Sequence, residues 1–246
     1  MERSADRESI GSTSPVGMRA GENRREVEAP DTYDRIFIAA ERLFGDVGFE
    51  GVSVREIVHA ADINLAAVNY HFGSKTELYL EVFRKRMRQL NSERAVLLRA
   101  AESENAGAPS VEGVLRAYIA PLILWRAPAS ERATASRFLA RAIAAPTSEL
   151  RALLESDVNH LMHFRRALER ALPRASQTQI SWSLHFAASL PLECTDMQLK
   201  RLAAYSQGAC DVQDLKAMVD RAVSFAMAGI TALCSTSSPR VRPAGW

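Results

Sequence analysis

Apolar side chains recur at helical spacing almost throughout residues 31–234, and this periodicity is the strongest constraint on the fold. No part of the chain alternates apolar and polar residues with the period of two that a half-buried strand shows. The first helix, which we place at 31–47, has an apolar face formed by Ile36, Ala40, Leu43, Phe44 and Val47. We therefore predict an all-α protein.

The composition narrows the class of protein. Hydrophobic residues make up 47% of the chain and charged residues 24%, a balance that suits a soluble globular protein. No uninterrupted apolar run reaches the ~18 residues that a membrane-spanning helix requires. Residues 1–17 also lack the apolar stretch of a secretory signal. We therefore expect a cytoplasmic protein with no membrane partner.

The three cysteines argue against two further classes of protein. Cys194, Cys210 and Cys234 form no CxxC pair and show no metal-ligand spacing. Disulfide frameworks and zinc ribbons depend on even, regularly spaced sets of cysteines. We therefore expect reduced, mostly buried thiols, and we expect neither a metal nor a cofactor.

The chain divides into four parts by composition. Residues 1–30 have almost no large apolar side chains, so we expect a flexible arm there. Residues 235–246 are rich in proline and have no periodicity, which predicts a loose tail. Between them we expect an N-terminal domain at 31–91 and a larger C-terminal domain at 92–234.

Two short helices joined by a tight turn are predicted at about 54–73. Ser53 and Glu56 have the spacing of a capping box, which predicts the start of a helix at 54–60. Asn64 is a good N-terminal cap for the next helix, which we expect to end near His71.

A long helix follows, and then shorter ones. A second capping box, Ser74 to Glu77, predicts a helix that runs to about Glu102. Proline and glycine breakers then separate the apolar stretches. The further helices are predicted at 110–126, 130–144, 147–171, 177–190 and 212–234.

Two short helices with a tight turn are the arrangement of a helix-turn-helix DNA-binding motif. An ordinary helical hairpin would have longer helices with apolar seams on both. The second helix here is only ~10 Å long, which suits contact with a few base pairs in the major groove. Its outward face combines small and polar residues, namely Leu65, Ala66, Ala67, Asn69 and Tyr70.

This region resembles the TetR/AcrR family of bacterial transcriptional regulators. The matching segment runs from Ala39 to Leu78 and reads AAERLFGDVGFEGVSVREIVHAADINLAAVNYHFGSKTEL. It departs from the family at Asp62, where glycine is common in the turn, and at Asn69, where many members have tyrosine. Aspartate tolerates the left-handed conformation better than most residues, so we expect the turn to form.

The resemblance implies a homodimeric DNA-binding regulator, with a long helix joining a three-helix DNA-binding domain to a helical C-terminal domain for ligand and dimer contacts. It implies a repressor that binds a palindromic double-stranded operator and is released by a small hydrophobic effector. The DNA contacts implied by position are Ser53, Val54, Arg55, Asn64, Leu65, Ala66, Ala67, Asn69, Tyr70, His71 and Lys75.

These contacts would differ in kind. Ser53 and Lys75 lie at helix N-termini, where free N–H groups favour an anion, so we expect phosphate contacts there. His71 has two interpretations, a contact to the DNA backbone or a packing role. Phe44 and Val68 lie on the inward periodic faces and are expected in the core.

The last predicted helix carries an apolar stripe broader than a surface helix needs against its own core. Its small residues would let a second copy approach closely, so we expect it to pair with the 177–190 helix across a two-fold axis as a four-helix bundle. The alternative is a helix buried wholly within one subunit. The expected interface is Leu215, Met218, Val219, Ala222, Phe225, Ala226, Gly229 and Ile230.

The middle helices carry aromatic and polar residues of the kind that line a ligand pocket. The alternative for each of them is a place in the core. Asp157, His160 and His163 have a spacing that could bind a metal, but no further Cys or His cluster accompanies them. The expected pocket is Leu122, Trp125, Phe138, Arg141, His160, Phe164, Trp182 and Phe186.

An enzyme, a protein-interaction module and an activator are the alternative functional classes. The sequence lacks GxSxG, Walker A, HExxH and GxGxxG motifs, which argues against an enzyme. A helical protein-interaction module and an activator without an effector are the remaining alternatives. The net charge of +2 does not separate them, and residues 31–91 hold nine acidic against eight basic residues. DNA binding would therefore depend on the placement of a few charges.

Overall fold

The computed structural model describes residues 31–104, 108–128 and 130–235, and within these ranges the chain is helical and has no strand. This confirms the all-α prediction. The predicted arm at 1–30 and all but the first residue of the predicted tail at 235–246 lie outside the described residues. The helices are α1 (Thr32–Val47), α2 (Val54–Ala61), α3 (Leu65–Phe72), α4 (Lys75–Glu104), α5 (Val111–Leu124), α6 (Ala133–Ala144), α7 (Ser148–Ser156), α8 (Asn159–Ala171), α9 (Gln177–Ser189), α10 (Asp196–Tyr205) and α11 (Leu215–Ser235).

The first helices begin at side-chain caps. At the start of α1, the Asp31 carboxylate, a cap that was not predicted, accepts from the Asp34 N–H at 2.8 Å. Ser53 and Glu56 form the predicted capping box at the start of α2. The capping box predicted at Ser74 forms in one direction only: the Ser74 hydroxyl accepts from the Glu77 N–H at 3.1 Å, but the Ser74 N–H donates to the Phe72 carbonyl at 2.9 Å. Each cap satisfies an amide that has no partner within its own helix.

The turn between α2 and α3 forms as expected. Asp62 adopts the left-handed conformation, with φ of 50°. Arg35 of α1 donates to the carbonyl of Asp62 and, at 3.1 Å, to its carboxylate. Gly73, with φ of 76°, then ends α3 and lets the chain turn into α4.

One hydrophobic core joins the first four helices to α6. Phe44 of α1 meets Tyr79 of α4 edge to face at 5.0 Å, and Tyr79 meets Phe138 of α6 at 5.5 Å. A Cβ atom on Gly45 would lie 3.3 Å from the backbone nitrogen of Phe138, so α1 and α6 pack almost backbone to backbone. Arg141 of α6 adds a hydrogen bond from Nε to the Gly45 carbonyl at 3.0 Å.

A second core lies among the end of α4 and helices α5, α8, α9 and α11. The inward face of α11 is formed by Val219, Val223, Ala226 and Ile230. By length and composition alone, α11 could cross a membrane, but core helices of soluble proteins pass the same test. Here one face of α11 packs on the chain's own second core.

The C-terminal helices differ from the predictions at two places. The helix predicted at 147–171 is two helices, separated at Asp157 and Val158 without a proline or glycine to mark the break. Helix α10 was not predicted, because it is short, has no buried residue and starts at a simple Thr195 cap. Cys210 is exposed, which corrects the expectation of mostly buried thiols.

Candidate nucleic-acid interface

Helix α3 presents one side to the core and the other to solvent. Val68 and Phe72 are buried against the first core. On the opposite side, Tyr70 is 85% exposed and Leu65 is 48% exposed. Of the remaining predicted contact residues on α3, Ala66, Asn69 and His71 are exposed, and Ala67 is half-buried. The structure therefore brings the predicted recognition residues onto one accessible face.

The start of α2 is held by the predicted capping box. The Ser53 N–H donates to the Glu56 carboxylate at 2.7 Å, and the Ser53 hydroxyl accepts from the Glu56 N–H at 3.2 Å. These hydrogen bonds lower the pKa of Glu56. The amides of Val54 and Arg55 have no hydrogen-bond acceptor among the described residues. These two amides are open to a phosphate, and the Ser53 hydroxyl, which only accepts in the cap, keeps its O–H to donate, so the phosphate contact at Ser53 stays a prediction.

The start of α3 is fixed by Asn64. Its side-chain oxygen accepts from the Ala67 N–H at 2.9 Å, as the cap prediction required. A groove of about 270 Å³ lies between α2 and α3 and is lined in part by Arg55, His59 and Leu65. Asn64 is itself exposed. The residue that caps the recognition helix therefore also lies at its accessible end.

His71 lies among aromatic rings at the end of α3. Its ring meets Tyr70 edge to face at 5.1 Å and Tyr33 of α1 at 6.3 Å. The side chain remains exposed. The packing interpretation is therefore supported by observed contacts, while the contact to the DNA backbone stays a prediction.

Lys75 is held by its own protein. Its ammonium group donates to the carbonyls of Phe49 and Val52, both at 3.0 Å, and lies 4.0 Å from the centroid of the Phe49 ring. The Lys75 side chain therefore ties the loop between α1 and α2 to the start of α4. Helix-terminus reasoning missed this role because the two carbonyls are more than 20 positions away in sequence.

Replacing Lys75 with methionine should destabilise the fold by about 1–3 kcal/mol, because two carbonyls lose a charged donor. Urea unfolding measures this change directly. Lys200→Met is the matched control, because Lys200 is exposed on α10 and forms no hydrogen bond or ion pair with the described residues. An unchanged unfolding free energy together with weaker DNA binding would instead assign Lys75 to the phosphate contact first expected.

The eight residues predicted to line a ligand pocket are not brought together. Leu122, Trp125 and Phe138 are buried in the first core, and Arg141 is bonded to the Gly45 carbonyl. Phe164 lies in the second core near His160. Trp182 and Phe186 are 54% and 53% exposed on α9. The single pocket expected from the sequence is therefore wrong. Helical periodicity identifies apolar positions but does not tell which core or which surface each of them joins.

The predicted dimer face also needs a correction. Val219, Ala226 and Ile230 are buried against the chain's own core and are unavailable to a partner. Leu215, Met218 and Ala222 are partly buried beside them. The outward residues of the set are Phe225, which is 72% exposed, and Gly229. The outward face of α11 is therefore rotated relative to the predicted stripe.

Aromatic residues of α9 extend this outward face. Trp182 and Phe186 stack with ring centroids 5.4 Å apart. A groove of about 380 Å³ between α9 and α11 is lined in part by Phe186, Phe225 and Gly229. The sequence placed the α9 aromatics in a ligand pocket, whereas the structure places them beside α11 on the surface.

Two family models match the chain. The model described as "Bacterial regulatory proteins, tetR family" matches residues 36–82, which contain α2, α3 and most of α1. The model described as "Tetracyclin repressor-like, C-terminal domain" matches residues 116–229. Together they cover more than half of the chain.

Individual proteins agree with these models. The chain is 48% identical over 44 residues to the probable HTH-type transcriptional regulator YttP of Bacillus subtilis (strain 168), a match that covers 18% of this chain and 21% of that protein. The crystal structure of HlyIIR, a hemolysin II transcriptional regulator, is 20% identical with a TM-score of 0.52, and the match covers 79% of this chain and 96% of that one.

A TetR-like transcriptional regulator from Rhodococcus sp. RHA1 has the same fold, with a TM-score of 0.57 at 17% identity over 82% of this chain and 98% of that one. At such identities these two structures establish the fold alone. The models establish more, because they match both the helix-turn-helix segment and the C-terminal helices. The chain therefore belongs to the tetR family of bacterial regulatory proteins.

Proposed function

We propose that the protein is a cytoplasmic, homodimeric transcriptional repressor. Each subunit would place α3 in the major groove of one half of a palindromic operator. The observation that carries this proposal is the accessible face of α3, where small alanines lie between the exposed Leu65, Asn69 and Tyr70. Small side chains allow the helix backbone to approach the bases, and the flanking polar groups reach the groove walls.

The dimer would form through the outer faces of α9 and α11. Trp182, Phe186 and Phe225 are large aromatic side chains that stay more than half exposed in the single chain. Exposed apolar groups of this size on one surface are typical of protein interfaces. Two copies of the α9–α11 pair would cover these side chains as a four-helix bundle and hold the two recognition helices at a fixed separation.

Release of the DNA would follow when a small molecule binds the C-terminal domain. The DNA-binding helices are not independent of that domain, because Phe138 and Arg141 of α6 pack and bond against Gly45 of α1. A movement of α6 or α4 would therefore move the recognition helix. The ligand must bind the two conformers with different affinity, since otherwise it shifts nothing.

The direct experiment is fluorescence anisotropy with a labelled DNA fragment from upstream of the protein's own gene. Saturable binding that unlabelled fragment displaces and random DNA does not displace is expected. A protein-interaction module that has lost DNA binding would leave the anisotropy of the labelled fragment unchanged, and equal displacement by both competitors would show non-specific binding; either result would contradict the proposal.

Salt provides a second test, because only a few charges are placed to meet phosphate. With roughly two to four phosphate contacts per subunit, log K should fall with log salt with a slope of about −4 to −7 for the dimer. The measurement is the same anisotropy titration repeated between low and moderate salt. A slope near zero would show that the protein makes no phosphate contacts and would contradict this prediction.

A further inference from the structure

Arg94 of α4 is a charged side chain inside the C-terminal domain. It is only 3% exposed. Its Nε donates to the Tyr118 carbonyl at 3.0 Å, its Nη1 donates to Asn91 at 3.3 Å, and the guanidinium lies 3.9 Å from the centroid of the Tyr118 ring. No carboxylate of the described residues forms an ion pair with it.

The hydrogen-bond partners of Arg94 are unusual for a buried cation. A guanidinium has five N–H donors, and only two of those of Arg94 have acceptors within the described ranges. Neutral carbonyls and an aromatic face offset part of the loss of hydration, but a buried charge is normally paired. Burial accordingly lowers the pKa of Arg94, although an arginine stays charged near neutral pH.

His160 of α8 is close enough to Arg94 for the guanidinium charge to act on its imidazole ring. Its Nδ1 atom is buried and has no hydrogen-bond partner among the described residues, while the side chain as a whole is partly exposed. The Tyr118 ring, which the Arg94 guanidinium faces, meets Phe164 edge to face at 5.0 Å, and Phe164 is one helical turn after His160. Burial, and then the Arg94 charge, lower the pKa of His160 against the opposite effect of the Asp157 carboxylate, so its ring is neutral near pH 7.

We propose that Arg94 and His160 bind the carboxylate of a small organic acid at the junction of α4, α5 and α8. The planar guanidinium matches a carboxylate in a two-pronged hydrogen bond, and the neutral His160 ring can donate one more N–H. The partly exposed His160 marks the side from which the acid enters.

The surroundings favour a carboxylate with an apolar body. Tyr118, whose ring the guanidinium faces, belongs with Phe164 and Leu98 to the apolar second core. A singly charged carboxylate costs less to remove from water than a phosphate, and one arginine is enough to balance it. An apolar acid bound here would be the effector of the proposed repressor. Only this regulatory role rests on the proposed function; the carboxylate site itself does not.

The first test is thermal unfolding of the full chain with acetate, benzoate and octanoate, each compared with an uncharged or cationic counterpart. For octanoate the counterparts are octanol and octylamine. Octanoate should raise the unfolding midpoint by several degrees, octanol by less, and octylamine not at all, because a ligand stabilises the state that it binds. If none of the three carboxylates exceeds its counterparts, the proposal is overturned.

The second test uses Arg94→Met, with Arg99→Met as the matched control on an exposed position of the same helix. Calorimetry should show octanoate binding at least about tenfold weaker in Arg94→Met and unchanged in the control. Without ligand, the midpoint of Arg94→Met should fall, because the Tyr118 carbonyl and the Asn91 side chain lose a charged donor. Octanoate affinity therefore decides the role of Arg94, since a purely structural arginine would lower the midpoint in the same way but leave octanoate affinity unchanged.

Arg94→Lys keeps the test decisive if the methionine variant does not fold. It retains the charge but loses the planar fork, so octanoate affinity should fall several-fold while the protein stays folded. DNA binding is measured separately by anisotropy in the same samples. Octanoate binding without loss of DNA affinity would support the carboxylate site and contradict its role as the effector site, whereas absent DNA binding would contradict the proposed function alone.

Discussion

Replacing Tyr70 with alanine is expected to weaken operator binding about ten- to hundredfold while leaving the fold intact. Tyr70 is 85% exposed at the last turn of α3, so its removal costs little packing within the subunit. On the operator, its ring and hydroxyl would contact the groove wall, and each contact of this kind contributes roughly 1–3 kcal/mol of affinity. A symmetric dimer loses the contact twice.

Tyr205→Ala is the matched control for this substitution. Tyr205 is 76% exposed at the end of α10, away from the helix-turn-helix segment. Anisotropy titrations and urea unfolding on both variants separate a lost DNA contact from a lost fold. Equal operator affinity in Tyr70→Ala and the parent protein would remove Tyr70 from the proposed interface.

Replacing Phe225 with glutamate is expected to convert the dimer into a monomer and to abolish operator binding at the concentrations where the parent binds. Phe225 is the most exposed large apolar residue of α11, at 72%. Across a two-fold interface, the change would bury two like charges in place of two aromatic contacts. Aromatic anchors contribute 2 kcal/mol or more, so the dimer should weaken by at least about a hundredfold.

Light scattering after size exclusion measures the mass of each variant. Met197→Glu is the control, because Met197 is 63% exposed on α10 and lies outside the α9–α11 groove. It should remain a dimer with parental operator affinity. A Phe225→Glu variant that stays dimeric, or a parent protein that is a monomer at micromolar concentration, would contradict the proposed interface.

Local signals were sufficient to predict the DNA-binding helices. Capping by Ser53 and Asn64, and glycine at the ends of α1 and α3, act over three or four residues, which is the range that sequence patterns report well. Asp62 in the left-handed turn belongs to the same class of signal. These elements were therefore predicted correctly, as was the exposed face of α3 except at Ala67, which packs partly against the first core.

Long-range packing was not predictable in the same way. Lys75 and the carbonyls of Phe49 and Val52 are far apart in sequence, and no local pattern links them. The α11 stripe is broad enough to serve either a core or a partner, so periodicity alone placed Val219 in the interface rather than the core. The charge on Arg94 gave no sign of burial, because long charged residues on a helix usually face solvent.

Selection of bound DNA from a random pool by the purified protein, followed by sequencing, tests the proposed operator recognition most directly. Enrichment of an inverted repeat is expected, with two identical half-sites related by the dimer's two-fold axis and read by one α3 helix each. The Tyr70→Ala variant should enrich the same repeat less strongly. Enrichment of no sequence, or of a single site without inverted symmetry, would contradict the proposed mode of operator recognition.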